Sequence, residues 1–278
     1  NSLRMSGALN LGLANLGHGL KVVATRPQST IPNLAYFNNF IPAALGVKIE
    51  QGTGQLHHEL KFDKDDETIT GEIRLHLDDF IARYRSLVVS GNLDAQTKLE
   101  RGNLEAKAFD ATGTRLQLKD VTVTDNMAEI ATDWWGKIIL SNAEMDLQPD
   151  IQVWGDVEIQ MRDTGLALAL FEKRKELPHW VERILTVENV KAISKVAWAN
   201  DIVDVTDFKL QGEEWLVLGD LIFKPKGREG VLREGVLYVH HGHLGLAIEH
   251  KGGHKHAKLI HARKWFDKHR AALRAAGE

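Results

Sequence analysis

The sequence predicts a mainly β protein built on a long antiparallel sheet with one dry face and one wet face, and with few helices. Three observations lead there. The first is period-two alternation of apolar and polar residues, the mark of strands half-buried in a sheet. Leu87, Val89, Gly91, Leu93, Ala95, Thr97 and Leu99 point one way, against Ser90, Asn92, Asp94, Gln96, Lys98 and Glu100. Ile151, Val153, Gly155, Val157, Ile159 and Met161 stand in the same way against Gln152, Trp154, Asp156, Glu158, Gln160 and Arg162. Shorter runs recur at Leu9, Leu11 and Leu13; at Leu56, His58, Leu60 and Phe62; at Ile69, Gly71, Ile73, Leu75 and Leu77; and at Leu116 and Leu118. The second observation is that these runs alternate at all: parallel strands covered by helices on both sides read as continuous apolar stretches. The third is turn chemistry, with Asp63 to Glu67 and Lys224-Pro225-Lys226-Gly227 each separating two strand-like runs.

Helices are expected in three places. Pro32 to Leu45 reads as a short helix or two turns, with Leu34, Phe37, Phe40 and Ile41 at helical spacing and Pro42 interrupting it. Thr164 is placed to cap a helix from Leu166 to Lys175, and Pro178 suits the first turn of another, His179 to Thr186; together they form a helical insert over 164–187. The Ala-, Lys- and Arg-rich stretch 261–276 predicts a C-terminal helix with Phe266, Arg270 and Leu273 on one side. It reads as a solvated helix capping the open edge of the sheet, with an interfacial helix on anionic lipid as the alternative. No low-complexity linker divides the chain, so 1–278 reads as a single β-rich module. Asn1 to Met5 lead straight into alternating sequence, from which we expect a segment of a longer precursor.

Composition removes several function classes. Thirty-five Lys and Arg against 38 Asp and Glu leave a net charge of −3, so no global field draws the chain to nucleic acid or to anionic membranes. With no cysteine there is no disulfide, no thiolate metal site and no cysteine nucleophile. No apolar run approaches the ~20 residues of a membrane-spanning helix. Seven tryptophans are scattered without a basic stripe, so stacked single-stranded nucleic acid finds no platform.

No catalytic constellation is readable, and no cofactor is expected. Gly17-His18-Gly19 and Gly52-Thr53-Gly54 are lone fragments in strand-like sequence and read as turn glycines, not as phosphate loops. Asp78-Asp79 and Glu213-Glu214 are sequence neighbours and so point apart, which makes them weak candidates for acid/base work. Arg162-Asp163-Thr164 reads as a structural ion pair and helix cap. Histidine is concentrated: eight of the 13 lie in the last 40 residues. A strand carrying His241 and His243, with His254 and His256 on a partner strand, would be a nitrogen-ligand set for zinc. No carboxylate completes it, and Lys251, Lys255 and Lys258 oppose a cation there, so surface histidines are the simpler reading.

The sequence resembles the AsmA-like family of bacterial envelope proteins. The likeness is carried by Asn33 to Leu45 followed by Val47-Lys48-Ile49 and Gly52-Thr53-Gly54-Gln55-Leu56, by the strand Leu87 to Leu99, and by Gly113-Thr114-Arg115-Leu116-Gln117-Leu118 leading to Val121-Thr122-Val123. It covers residues 31 to 240; Trp134-Trp135-Gly136-Lys137-Ile138 and the histidine-rich end depart from it. The resemblance implies a long antiparallel sheet curled into an open groove or incomplete barrel, apolar inside. It implies a non-enzymatic periplasmic module that shields phospholipid or another hydrophobic ligand in lipid transport or outer-membrane assembly. The same likeness places an inner-membrane anchor in a segment outside this chain and leaves contact with a membrane surface open. Only the groove face carries over: Leu87, Val89, Leu93, Leu99, Ile151, Val153, Val157, Ile159 and Met161. Two other readings stand beside it, a structural β-sandwich or protein-docking domain, and a histidine-ligated metal enzyme. A sandwich fills its apolar face with its own side chains, whereas a groove leaves it open.

Overall fold

Alternation of this length yields strands of unusual length. In a computed structural model, residues 2–6, 21–39, 47–63, 65–84, 86–103, 105–125, 128–146, 152–165, 187–199, 202–226 and 229–277 are described. The first six strands are β1 Ser2–Ser6, β2 Lys21–Ile31, β3 Val47–Asp63, β4 Thr68–Tyr84, β5 Leu87–Asn103 and β6 Ala108–Asp110. Next come β7 Arg115–Asp125, β8 Ala128–Asp146, β9 Gln152–Asp163, β10 Glu188–Ala199 and β11 Ile202–Gly212. The last four are β12 Trp215–Lys226, β13 Glu229–His241, β14 Leu244–Lys251 and β15 His254–Lys258. They form one 15-stranded antiparallel sheet in which each strand pairs with its sequence neighbour, except that β6 and β7 both lie between β5 and β8. Those two are halves of a single strand. Their pairing to β8 runs from Ala108↔Asp146 to Arg115↔Ile139 without a slip, across a kink where Gly113 takes a φ of +84°.

A long sheet must bend, and here it bends at bulges. Asp79, Asp120, Asp133, Asn142, Asn189 and Asp207 all have φ between 47° and 54°. Each sits third in a four-residue pattern of apolar, any, Asp or Asn, apolar: Leu77-Asp78-Asp79-Phe80, Leu118-Lys119-Asp120-Val121, Ala131-Thr132-Asp133-Trp134, Leu140-Ser141-Asn142-Ala143, Val187-Glu188-Asn189-Val190 and Val205-Thr206-Asp207-Phe208. Asp and Asn accept the left-handed conformation at least cost among residues with a side chain. The register slips beside Asp79, Asp120 and Asp207, and a side chain on the next strand can take up the freed N–H. Asn92 Oδ1 accepts from Asp79 N at 3.1 Å and Asp220 Oδ1 from Asp207 N at 2.9 Å.

Two small cores are closed by the chain itself. In one, Leu87, Val121, Val123 and Trp134 pack together, with Val89, Leu118 and Met161 around them. The Trp134 ring lies over Gly136, where a Cβ would come within 2.4 Å of it, and its Nε1 donates to the Asp163 carbonyl at 3.0 Å. The other joins Val236, Tyr238 and Ala247 to Ala262 and Phe266 of α1, the helix Ala262–Gly277. The expected tail helix is therefore present, but it packs on the face of β13 and β14 instead of capping the sheet edge. Pro32 to Leu45 yields a 3-10 turn, Leu34–Asn39, held to β3 by paired hydrogen bonds between the Asn38 amide and Ile49, with 40–46 outside the described residues. The alternating residues Leu9 to Leu13, the Gly17-His18-Gly19 fragment and the two helices expected between Leu166 and Thr186 also lie outside them.

Candidate functional site

Directly opposed residues in antiparallel strands share a face, so the register alone traces what each face carries. One row runs Leu56↔Leu75↔Ala95↔Leu116↔Ile138↔Ile159↔Ala192↔Leu210↔Val217↔Val239↔Leu246. Eleven consecutive strand positions from β3 to β14 are apolar without a break. At ~4.8 Å between strands the row is about 48 Å long. A second row beside it runs Leu77↔Leu93↔Leu118↔Gly136↔Met161↔Val190. Of the long row only Ala192 is buried; the others are half-buried.

The groove residues expected from sequence fall on this face. Leu93, Leu99, Val153, Val157, Ile159 and Met161 are half-buried on it, and Leu87 and Val89 belong to the closed core at its margin, Leu87 being 1 % exposed. Ile151 lies outside the described residues. Sequence reasoning missed the continuation through β10 to β14, where Ala192, Leu210, Val217, Val239 and Leu246 carry the row. In β12 and β13 the other face is apolar too, at Leu216, Leu218, Val236 and Tyr238, and local alternation vanishes there.

The opposite face is charged and internally compensated. His76 Nδ1 is 2.5 Å from Asp94 and its Nε2 2.9 Å from Asp78, while Lys119 reaches Asp94 at 2.7 Å. The Asp94 hydrogen bond, seconded by the Asp78 charge, raises the His76 pKa above its ordinary value, and Lys119 first, then His76, lowers that of Asp94. Arg74 holds Glu72 as a two-pronged pair at 2.8 and 2.9 Å. A cavity of about 580 Å³ on this side is lined by Gln55, His57, Arg74, Gln96, Arg115 and Lys137 among others. Comparison with protein-family models, curated proteins and solved structures returns no match.

At the C-terminal end the charges hold a helix. Asp220, with its side chain 3 % exposed, accepts from Arg270 Nε at 3.0 Å and Arg274 Nε at 2.6 Å, and both guanidiniums also reach Asp207 at 2.7 Å. Burial works against the Asp220 carboxylate, but the hydrogen bonds from Arg274 and Arg270 outweigh it and lower its pKa; Arg274 does the same for Asp207. Asp207 is also a bulge residue, so one carboxylate pair both bends the sheet and docks α1.

The histidines do not converge. β13 ends at His241, so His243 lies in the following turn, and β14 separates β13 from His254 and His256 on β15. His241 stacks on Trp215 with ring centres 4.2 Å apart and faces Glu214 at 3.3 Å. Among the described residues no group of three or more His, Asp or Glu is placed to hold a metal. Asp78 and Asp79 part as their adjacency demands, one to His76 and the other to a bulge.

Proposed function

We propose that this chain is a non-enzymatic lipid-binding module of a bacterial cell envelope, which lays acyl chains along its apolar face and screens them from water. The observation that carries this is the unbroken apolar row from Leu56 to Leu246, half-exposed at every position but Ala192. Each CH₂ removed from water contributes about 0.8 kcal/mol, so such a strip holds an acyl chain with no polar recognition site. At about 48 Å it outreaches the ~30 Å hydrocarbon core of a bilayer. Several acyl chains can lie end to end on it, as transport between two membranes requires. The AsmA-like resemblance points the same way and supports a periplasmic location at the inner membrane as part of this proposal.

The test is mass spectrometry of solvent extracts from protein purified without detergent. Phospholipid in stoichiometric or greater amount is the expected result, falling sharply in the L75N/I138N double variant. A lipid-free protein would refute the reading and leave a structural or protein-docking sheet.

A further inference from the structure

We propose that the end of the sheet where β14, β15 and α1 meet docks onto an anionic membrane surface. Leu244, Leu259 and Ile260 are 75 %, 70 % and 73 % exposed, more than any other large apolar side chain among the described residues. They lie together. Leu244 opens β14, and Leu259 and Ile260 leave β15 just past Lys258, whose partner on β14 is Ala247. His243, Gly245, Leu259 and His261 line one open cleft of about 540 Å³, which sets the two segments side by side. None of the three apolar side chains serves the core, which at this end is closed by Val236, Tyr238, Ala247 and Phe266.

Lysine outnumbers acid around them. Asp267 is paired with Arg263 at 3.1 Å, while Glu249 at 2.9 Å from His269 and Glu214 at 3.3 Å from His241 face imidazoles that offset them only when protonated. Lys258, Lys264 and Lys268 have no ion pair among the described residues. Protruding aliphatic side chains with unpaired lysines nearby match the interfacial region of a bilayer, where apolar groups reach the acyl boundary and each lysine gains from anionic headgroups. The helix adds its exposed Lys264 and Lys268 to this contact but not its apolar side, because Phe266 is buried against the sheet. The docking surface also adjoins the end of the apolar row, since Leu244 opposes His241 two pairs beyond Val239↔Leu246 and so on the same face. It stands independently of the acyl-chain reading, for these side chains protrude whether or not the face carries lipid.

The full chain is sedimented with vesicles of phosphatidylcholine alone or mixed with an equal amount of phosphatidylglycerol. Binding to the mixed vesicles that weakens with salt is expected, about ten-fold weaker in L244S/L259S/I260S. In K258Q/K264Q/K268Q the preference for the mixed vesicles should disappear. Lipid co-purifying with the serine variant stays at the parent level, so failure here is distinguishable from failure of the acyl-chain reading. Because the chain has no cysteine, a polarity-sensitive dye on L259C reports insertion directly, with the same dye on I193C, in β10, as reference. A blue shift at the first position and none at the second is expected. No binding to either vesicle, parent-level binding by the serine variant, or equal shifts at both positions would overturn the proposal.

Discussion

The two faces of β13 and β14 are made of similar residues and meet different fates. On one, Val236, Tyr238 and Ala247 are covered by α1 and buried; on the other, Leu237, Val239, Leu246 and Ile248 stay half-exposed. The chain supplies a helix, two arginines and a buried carboxylate to close the first and, among its described residues, nothing to close the second. Burial of the helix face is thus a folding event completed within this chain. Outside the core around Leu87 and Trp134, the row stays half-exposed on each strand from β3 to β14 except β10, where Ala192 is buried, as a surface kept for an exchangeable apolar ligand requires.

That contrast can be broken most forcefully at the helix. Phe266→Ala removes the ring at the centre of the closed core and should cost about 3–5 kcal/mol of local stability. Hydrogen exchange should then show loosened β13 and β14, with co-purifying lipid unchanged. Next in size is Gly52→Ala. Gly52 has a φ of +129°, and a Cβ there would stand 2.7 Å from Leu34 Cδ1 and 2.8 Å from the Phe80 backbone. A loss of about 1–3 kcal/mol is expected in urea unfolding, with Leu34 displaced from β3. Ile138→Asn, on the open face, should cost only about 1 kcal/mol or less, because its side chain is already half in water, yet lipid content should fall. Lys137→Asn, its neighbour on the charged face, should change neither.

Smallest and most diagnostic are the pH effects, which run in opposite senses at the two ends. Asp207 and Asp220 have lowered pKa values, so their contribution to α1 docking is present above the ordinary carboxylate range and is lost as pH falls below it. His76 has a raised pKa, so its bridge between Asp78 and Asp94 contributes fully below the ordinary histidine value and is lost as pH rises past its own. Hydrogen exchange across pH should show β13 and β14 loosening in acid and the β4–β5 contact loosening mildly in base.

Much of the middle of the sheet was legible because its two faces differ. Residues 87–99 and 152–161 alternate cleanly, and the strands and the shared face follow from that. The end was less so. In Leu216-Val217-Leu218 and Val236-Leu237-Tyr238-Val239 both faces are apolar, one for α1 and one for the row, and period two is erased. The bulges were written in the sequence as an Asp or Asn wedged between apolar residues. A two-residue polar interruption reads in sequence as a break in alternation, whereas the extra residue keeps both flanking side chains on one face. The histidine cluster is dense in sequence only, since an intervening strand and a turn keep its members apart in space.

A photo-crosslinking amino acid tests the account most directly, because neighbouring residues of one strand report opposite faces. The probe is placed in turn at Leu116, Ile138 and Ile159, then at Gln117, Lys137 and Gln160, and the protein is irradiated with radiolabelled phospholipid. Lipid adducts at the first three positions and none at the second three are the expected outcome; equal labelling of both sets, or none at Ile138, contradicts it.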